Sequence, residues 1–543
     1  MEVRRRAALV KEGVLPRAKS DASSDNSWLR LLTFIIGWLG FIFVFHSYRE
    51  QALVDFGGLR ASSYEPTEDL AHDYLASDQA LRTKLEQLGQ EDHVKKLQDA
   101  ASSSLADLQS QLYYWKLDTL ANSGLYRLPS AIGDKYILFA TDCGGFNNIR
   151  MGFEHAVIMA WLTRRTLVLP PKAGWYLIDF GPFARMKPEP SADRVTGYGE
   201  FFDIEHLRAA VPVITTEEFR NREGLHLGLS QELMDLDLKT TEGINTWVQW
   251  LKRGEDDANR VNLPWAPLSN VVYYPSIEAV EAQFPEGVPK EFVHHRKRVE
   301  ITSDIADKQL IVFPACRGEE FRYLCQVNTI VAFADEALSR SYKRMLRDNV
   351  HYQRIVFDIA ARVIQKLGPF KYSALHVRRN DLQYKEVFID ASESLANIEA
   401  LLHKGEPIYI ATDEKRFDEF FRPFVEKGYP IFQWKDFFTE RGGNVLSGVE
   451  IPRKLEGCIE QVICALGRVF AGTLESTFSS YIFRLRGYYH APNTEIYFHN
   501  LRYSGDVRRD RVRTYSKKPI KGQIYKSEHP SIWEDAEAPH TTW

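Results

Sequence analysis

The sequence predicts an α/β protein of two parallel-sheet units, residues 131–345 and 346–502, carried behind a transmembrane helix and a helical stem. Three observations predict it. Tyr136–Pro171 reads as strand, glycine turn, helix and strand. From Tyr372 to Arg486, short apolar runs again alternate with segments of helical spacing, which is the pattern of strands joined by crossover helices. Leu31–Phe45, LLTFIIGWLGFIFVF, carries no charge.

In chain order, residues 1–27 are polar, with Arg4, Arg5, Arg6, Lys11, Arg17 and Lys19. Residues 28–48 then approach the length of a bilayer-spanning helix, with Trp28 and Tyr48 at the edges where amphipathic rings sit best. No small-residue cleavage site follows Phe45, which argues against a removed leader. The positive-inside rule places residues 1–27 in the cytoplasm and everything beyond Tyr48 in a lumen. A short span suits thin early secretory membranes, so the expectation is a single-pass type II protein of the Golgi or endoplasmic reticulum. Residues 49–130 form the stem. Within it Glu68–Asn122 lacks proline, and Leu81, Leu85, Leu88, then Leu105, Leu108, Leu112 recur at helical spacing. That stripe fits a spacer, a coiled coil joining two copies, or a helix folded onto the main domain.

The 543 residues allow two or three domains, and 44% hydrophobic content supplies full cores. A net charge of −4, with basic residues scattered except at the ends, excludes nucleic-acid binding as an expectation. Five cysteines (Cys143, Cys316, Cys325, Cys458, Cys464) show no zinc spacing, and Cys316–Cys325 is the best local disulfide candidate.

In the first unit, Tyr136–Ala140 is a buried strand and Thr141–Gly145 a turn in which Gly144 and Gly145 can take positive φ. Asn147 or Asn148 caps a helix running to about Thr163, and Thr166–Leu169 is the next strand. The start of that helix is a natural place for phosphate or sugar oxygens. Between Gly181 and Val350 the pattern is weak. Asp235-Leu236-Asp237 resembles a metal-binding acidic pair but sits in a polar stretch, and His294-His295 before Arg296-Lys297-Arg298 reads as a solvated face. In the second unit, strands fall at Tyr372–Val377, Ile408–Ala411, Pro430–Phe432 and Val469–Ala471. Helices fall at Lys454–Leu466 and Thr477–Arg486, and polar residues gather at the strand C-termini, where open α/β sheets bind ligands. Residues 503–543 suit either a strap or a disordered tail.

Gly144-Gly145-Phe146-Asn147-Asn148, His376-Val377-Arg378-Arg379-Asn380-Asp381, Ala411-Thr412-Asp413 and Gly472-Thr473-x-x-Ser476-Thr477-Phe478-Ser479 occur in the order seen in the O-fucosyltransferase family, and the chain resembles that family over about Tyr136–Tyr488. The resemblance implies a GT-B architecture, two Rossmann-like domains facing a cleft that holds GDP-fucose. It also implies inverting transfer to a hydroxyl of a protein or glycan, with no cofactor or metal beyond the donor. It assigns Arg378 to the β-phosphate and glycosidic oxygen, and Ser476, Thr477 and Phe478 to hydroxyl and backbone donors. Asn147, with Gly144, Gly145 and Phe146, would approach the donor from the first domain. His376 would line the ribose or phosphate side or serve as a core histidine. Asp413 would meet the guanine edge or cap a helix, and Asp381 would lie beside the donor. Some relatives carry a glutamate, proposed as general base, where this chain has Gly144; Asp142, Glu154 and Asp381 are the candidate substitutes. Two alternatives stand beside this reading: a transferase using another nucleotide sugar, and an inactive sugar-binding protein on the same scaffold.

Overall fold

The computed structural model describes residues 90–116, 133–141, 144–180, 195–252, 259–263, 270–284, 286–288, 297–314, 330–379, 388–474, 476–500 and 524–525. The expected cytoplasmic tail, the transmembrane segment 28–48, most of the stem, Asp142, Cys143, Cys316, Cys325 and Asp381 lie outside the described residues. Among the described residues, no helix is long and apolar enough to cross a membrane.

The first sheet has the order β3-β2-β1-β7-β4, with β1 Tyr136–Phe139, β2 Thr166–Leu169, β3 Val213–Thr215, β4 Arg260–Asn262 and β7 Leu310–Phe313. Every pairing in it is parallel. Strand β1 is buried at every position, as expected of a central parallel strand with helices on both faces. The second sheet, order β11-β10-β9-β12-β13, comprises β9 Ser373–Val377, β10 Ile408–Thr412, β11 Ile431–Phe432, β12 Phe470–Gly472 and β13 Tyr497–Phe498, again all parallel. In both sheets the earliest strand lies centrally, and the order reverses beside it. The crevice at such a reversal is where open α/β sheets take ligands. The turns after β1 and β9 both carry residues singled out from the sequence.

A third sheet, order β14-β8-β5-β6, was not anticipated. It contains β5 Asn270–Tyr274, β6 Lys297–Glu300, β8 Ile330–Phe333 and, antiparallel at its edge, β14 Ile524–Tyr525. The C-terminal stretch is therefore a strap at Ile524–Tyr525, where Ile524 is buried against this sheet's small core.

The described part of the stem corrects the spacer and coiled-coil readings. Helices α1 (Gln90–Ser103) and α2 (Leu105–Leu112) are separated at Ser104, whose hydroxyl accepts the Asp107 N–H and caps α2. Leu97, Leu108 and Leu112 are fully buried in the main core. Gln98 Nε2 donates to the Pro369 carbonyl at 3.4 Å, and Gln109 Nε2 to that of Asp358 at 3.3 Å. The apolar stripe at Leu108 and Leu112 is thus covered by the chain's own core and does not offer a seam for a second copy.

Three further helices build the site: α3 (Phe146–Thr163), α5 (Glu456–Ala465) and α6 (Thr477–Tyr488), with α4 (Arg354–Leu367) behind α5. Helices α3 and α6 touch each other, so the helix after β1 and the helix after β12 share one core.

Candidate functional site

Strand register sets one edge of the site. Ala411 lies beside His376, Thr412 beside Val377, and Ala471 beside Leu375, so the turns after β9, β10 and β12 emerge together. Two consecutive backbone N–H groups leaving β9 are each held by a neighbouring strand's side chain. Arg378 N–H donates to Thr473 Oγ1 at 3.1 Å, and Arg379 N–H to Asp413 Oδ1 at 2.8 Å. The Thr473 hydroxyl in turn donates to the His376 carbonyl at 2.7 Å. The segment carrying Arg378 is therefore fixed from both sides.

The two arginines then diverge. Arg379 forms an ion pair with Glu414 at 3.0 Å, donates to the Ile389 carbonyl, and lies 4.2 Å from the Phe420 ring centroid. These contacts make it a structural clamp. Arg378 is half-buried, and its backbone N–H meets the turn that leads into α6. Asp413 does not cap a helix, because the next helix begins only at Phe417 with Arg416 as its cap. Its carboxylate fixes the β9 turn instead.

His376 is 6% exposed, hydrogen-bonded through Nδ1 to Ser479 Oγ at 2.7 Å, with its ring centroid 4.5 Å from that of Phe478. It behaves as a satisfied core histidine that docks β9 onto α6. Ser479 Oγ also accepts the Thr473 N–H at 2.9 Å, which closes the loop around the β12 turn. Helix α6 opens at Ser476 with no side-chain cap bond. The Ser476 hydroxyl is buried and has no hydrogen-bond partner among the described residues. An orphan buried hydroxyl at an uncapped helix start is costly unless a ligand completes it, and the N-terminal N–H groups suit an anion.

From the other side, Gly145 caps α3 with φ −69° and no side-chain bond, so neither Asn147 nor Asn148 is the cap. Gly144 and Gly145 are not in the left-handed region either. Gly144 is required for space: a Cβ there would stand 2.6 Å from Asn148 Nδ2 and 2.7 Å from Asn148 Cβ. Phe146 packs among Phe201, Phe202, Trp175 and Tyr352, which makes it an anchor of the turn. Asn147 is 8% exposed, and its Oδ1 accepts from Gln461 Nε2 at 3.2 Å.

Glu154, a candidate base, is 2% exposed and bound by two guanidiniums. Arg150 Nη1 donates to its Oε1 at 2.7 Å, and Arg484 donates through Nη1 to Oε2 at 3.0 Å and Nη2 to Oε1 at 2.5 Å. Burial works against the Arg484 charge, but the carboxylate outweighs it and holds that group charged more firmly than an ordinary arginine. A carboxylate so paired is a weak base, and its place is the α3–α6 contact. Asp235 and Asp237 are exposed turn residues, Asp235 accepting from Gln231 and Asp237 from the Lys239 N–H, as the sequence context suggested.

Sequence reasoning missed two supports. Gln461 reaches both helix starts from α5. His499, fully enclosed, sits with Nε2 3.2 Å from Thr473 Oγ1 and Nδ1 2.9 Å from Ser394 Oγ, while Asn500 Oδ1 accepts the Leu474 N–H. Burial, with the nearby Arg379 charge, lowers the His499 pKa to about 3, so it acts as a neutral strut. A lone amide among Cys458, Ile459 and Val462 on an apolar helix face was the available signal for Gln461. His499 offered none.

A family model described as GDP-fucose protein O-fucosyltransferase matches residues 136–489, well over half the chain. The chain belongs to that family. This O-fucosyltransferase family member is accordingly a fucosyltransferase-like glycosyltransferase, and the matched region runs from the first residue of β1 to just past the end of α6. Among solved structures, POFUT1 in complex with GDP-fucose is 13% identical, with 68% of this chain and 100% of that chain covered and a TM-score of 0.35. The fucosyltransferase NodZ from Bradyrhizobium is 14% identical, with 65% of this chain and 93% of that chain covered and a TM-score of 0.31. A comparison with curated proteins found no sequence match.

Proposed function

We propose that this family member moves fucose from GDP-fucose to a hydroxyl of a protein or glycan acceptor, with inversion and without a metal, on a GT-B arrangement of its first two sheets. The observation that carries the reading is the double backbone clamp, Thr473 on Arg378 and Asp413 on Arg379, which ties the backbone that bears Arg378 to the turn leading into the uncapped start of α6.

Glycosyl transfer passes through an oxocarbenium-like transition state while the nucleotide diphosphate leaves with growing negative charge. Arg378 supplies a permanent positive charge that can take phosphate oxygens in bidentate fashion. Ser476 Oγ and the N–H groups of Thr477 and Phe478 add donors that need no rearrangement as the charge develops. Asn147 approaches from the α3 side, and Asp413 acts by holding the β9 turn. Glu154 has no part in proton abstraction, since both its oxygens are held by arginines. A dedicated base contributes about 10²–10⁴-fold where one is used, so the reaction tolerates its absence. The uncharged run Leu31–Phe45 and the basic residues before it support a type II anchor in the Golgi or endoplasmic reticulum.

The test is nucleotide release by the full-length protein in detergent, with GDP-fucose, other nucleotide sugars and candidate acceptors. GDP-fucose should be turned over, and Arg378→Ala should lower kcat by about 10²–10³-fold at unchanged melting temperature. Turnover that survives Arg378→Ala, or that requires another nucleotide, overturns the assignment.

A further inference from the structure

We propose that Gln461 is a positioning residue that fixes the amide of Asn147, so that Asn147 presents its N–H donors, and not its carbonyl, to the bound nucleotide sugar. The inference rests on the donor reading above, in which the starts of α3 and α6 flank the sugar diphosphate.

Gln461 is fully buried, and both ends of its amide are engaged. Oε1 accepts the Tyr352 hydroxyl at 2.7 Å, while Nε2 donates to Asn147 Oδ1 and to the Phe478 carbonyl, each at 3.2 Å. Phe478 is the second residue of α6, and its carbonyl can only accept. Flipping the Gln461 amide would therefore place oxygen against oxygen at Phe478, so its orientation is set by the backbone.

That orientation dictates the next. With an N–H pointing at it, Asn147 turns Oδ1 toward Gln461, and Nδ2, on the opposite side of the same amide, faces away with two donors and, among the described residues, no hydrogen bond of its own. Donors are the correct polarity for phosphate and sugar oxygens, whereas a carbonyl would repel them. The same glutamine spans to the first turn of α6, so one side chain sets the spacing between the two ligand-facing helix starts as well as the polarity of one of them.

The experiment combines GDP binding by calorimetry with GDP-fucose turnover for the full-length wild type, Gln461→Glu, Gln461→Met, Asn147→Ala and the two double variants. Both Gln461 replacements keep the side-chain length. Glutamate accepts where glutamine donated and pulls the Asn147 NH₂ inward; methionine removes all three bonds. Each should weaken GDP binding and kcat/KM about tenfold in the wild-type background and less than about twofold once Asn147 is alanine, a coupling expected only of groups acting through one another. Equal losses in both backgrounds, or losses that follow the melting temperature alone, overturn the proposal. Wild type that neither binds GDP nor turns over GDP-fucose overturns the donor reading and this inference with it; wild-type activity with additive losses overturns this inference alone.

Discussion

Replacing Glu154 by glutamine separates a structural carboxylate from a catalytic one. Glu154, Arg150 and Arg484 are 2%, 1% and 4% exposed, so the variant leaves two buried guanidiniums facing a neutral amide. Both guanidinium carbons also lie over one ring, Tyr481, at 3.5 Å and 4.6 Å from its centroid, and that ring cannot replace a full negative charge. Breaking a buried pair by removing one partner costs about 3–5 kcal/mol, because the remaining charge stays desolvated. At a few degrees per kcal/mol for a chain of this size, the melting temperature should fall on the order of 5–10 °C. Calorimetric unfolding of wild type and Glu154→Gln reads that shift, and donor turnover well below both transitions reads the chemistry; kcat should stay within several-fold. The triple change Arg150→Met, Glu154→Leu, Arg484→Met should regain much of the lost stability, since an apolar replacement leaves no charge unpaired. An unchanged melting temperature with a hundredfold loss of kcat would refute the reasoning and restore Glu154 as the base.

Gly144→Ala should destabilise by about 1–3 kcal/mol, because its Cβ meets the stiff Cβ of Asn148 as well as the movable amide; Gly144→Ala with Asn148→Gly should recover most of it in urea titrations. Ser476→Ala should raise the stability of the free protein by about 1 kcal/mol, through loss of an unsatisfied buried hydroxyl, while weakening GDP binding measured by calorimetry. Stability should fall with acid for a defined reason. Burial lowers the pKa of both His351 and His499 to about 3 from an ordinary 6.5, so unfolded chains take up protons that folded ones refuse. That contribution is complete above pH 6.5 and is lost as pH falls toward 3, roughly 2 kcal/mol per histidine at pH 5. Urea unfolding at pH 7.5 and 5 should show the drop and His351→Gln should shrink it; an equal drop in that variant would refute the assignment.

The first two parallel sheets were legible because each signals locally. Strand β2 was readable to the residue from Thr166 and three apolar residues before Pro170, and α6 from its spacing after Gly472. The family resemblance then rested on turns that the structure does bring into one hydrogen-bonded set, from Arg378 through Thr473 and Ser479. The third sheet left no such trace, since β14 pairs with β8 across nearly two hundred residues and no short-range pattern records a partner that distant. The α1–α2 stripe was ambiguous for another reason: leucines at helical spacing look alike whether they meet a second copy or the same chain. Gly144 was misread as a conformational requirement when it is a volume requirement, a distinction that only the position of Asn148 reveals. The pairing of Glu154 was not legible because its partner, Arg484, lies 330 residues along the chain.

Helices α1 and α2 lie outside the family-matched region yet furnish three fully enclosed leucines to the same core, and the Tyr489 hydroxyl at the far end of that region donates to the Leu112 carbonyl at 2.9 Å. The effect of a proteolytic cut in this part of the chain therefore depends on where it falls. Scission ahead of Gln90 would leave both helices in that core. Scission after Leu112 would strip three leucines worth about 1.5–3 kcal/mol apiece and leave a fragment prone to aggregate before it met a substrate.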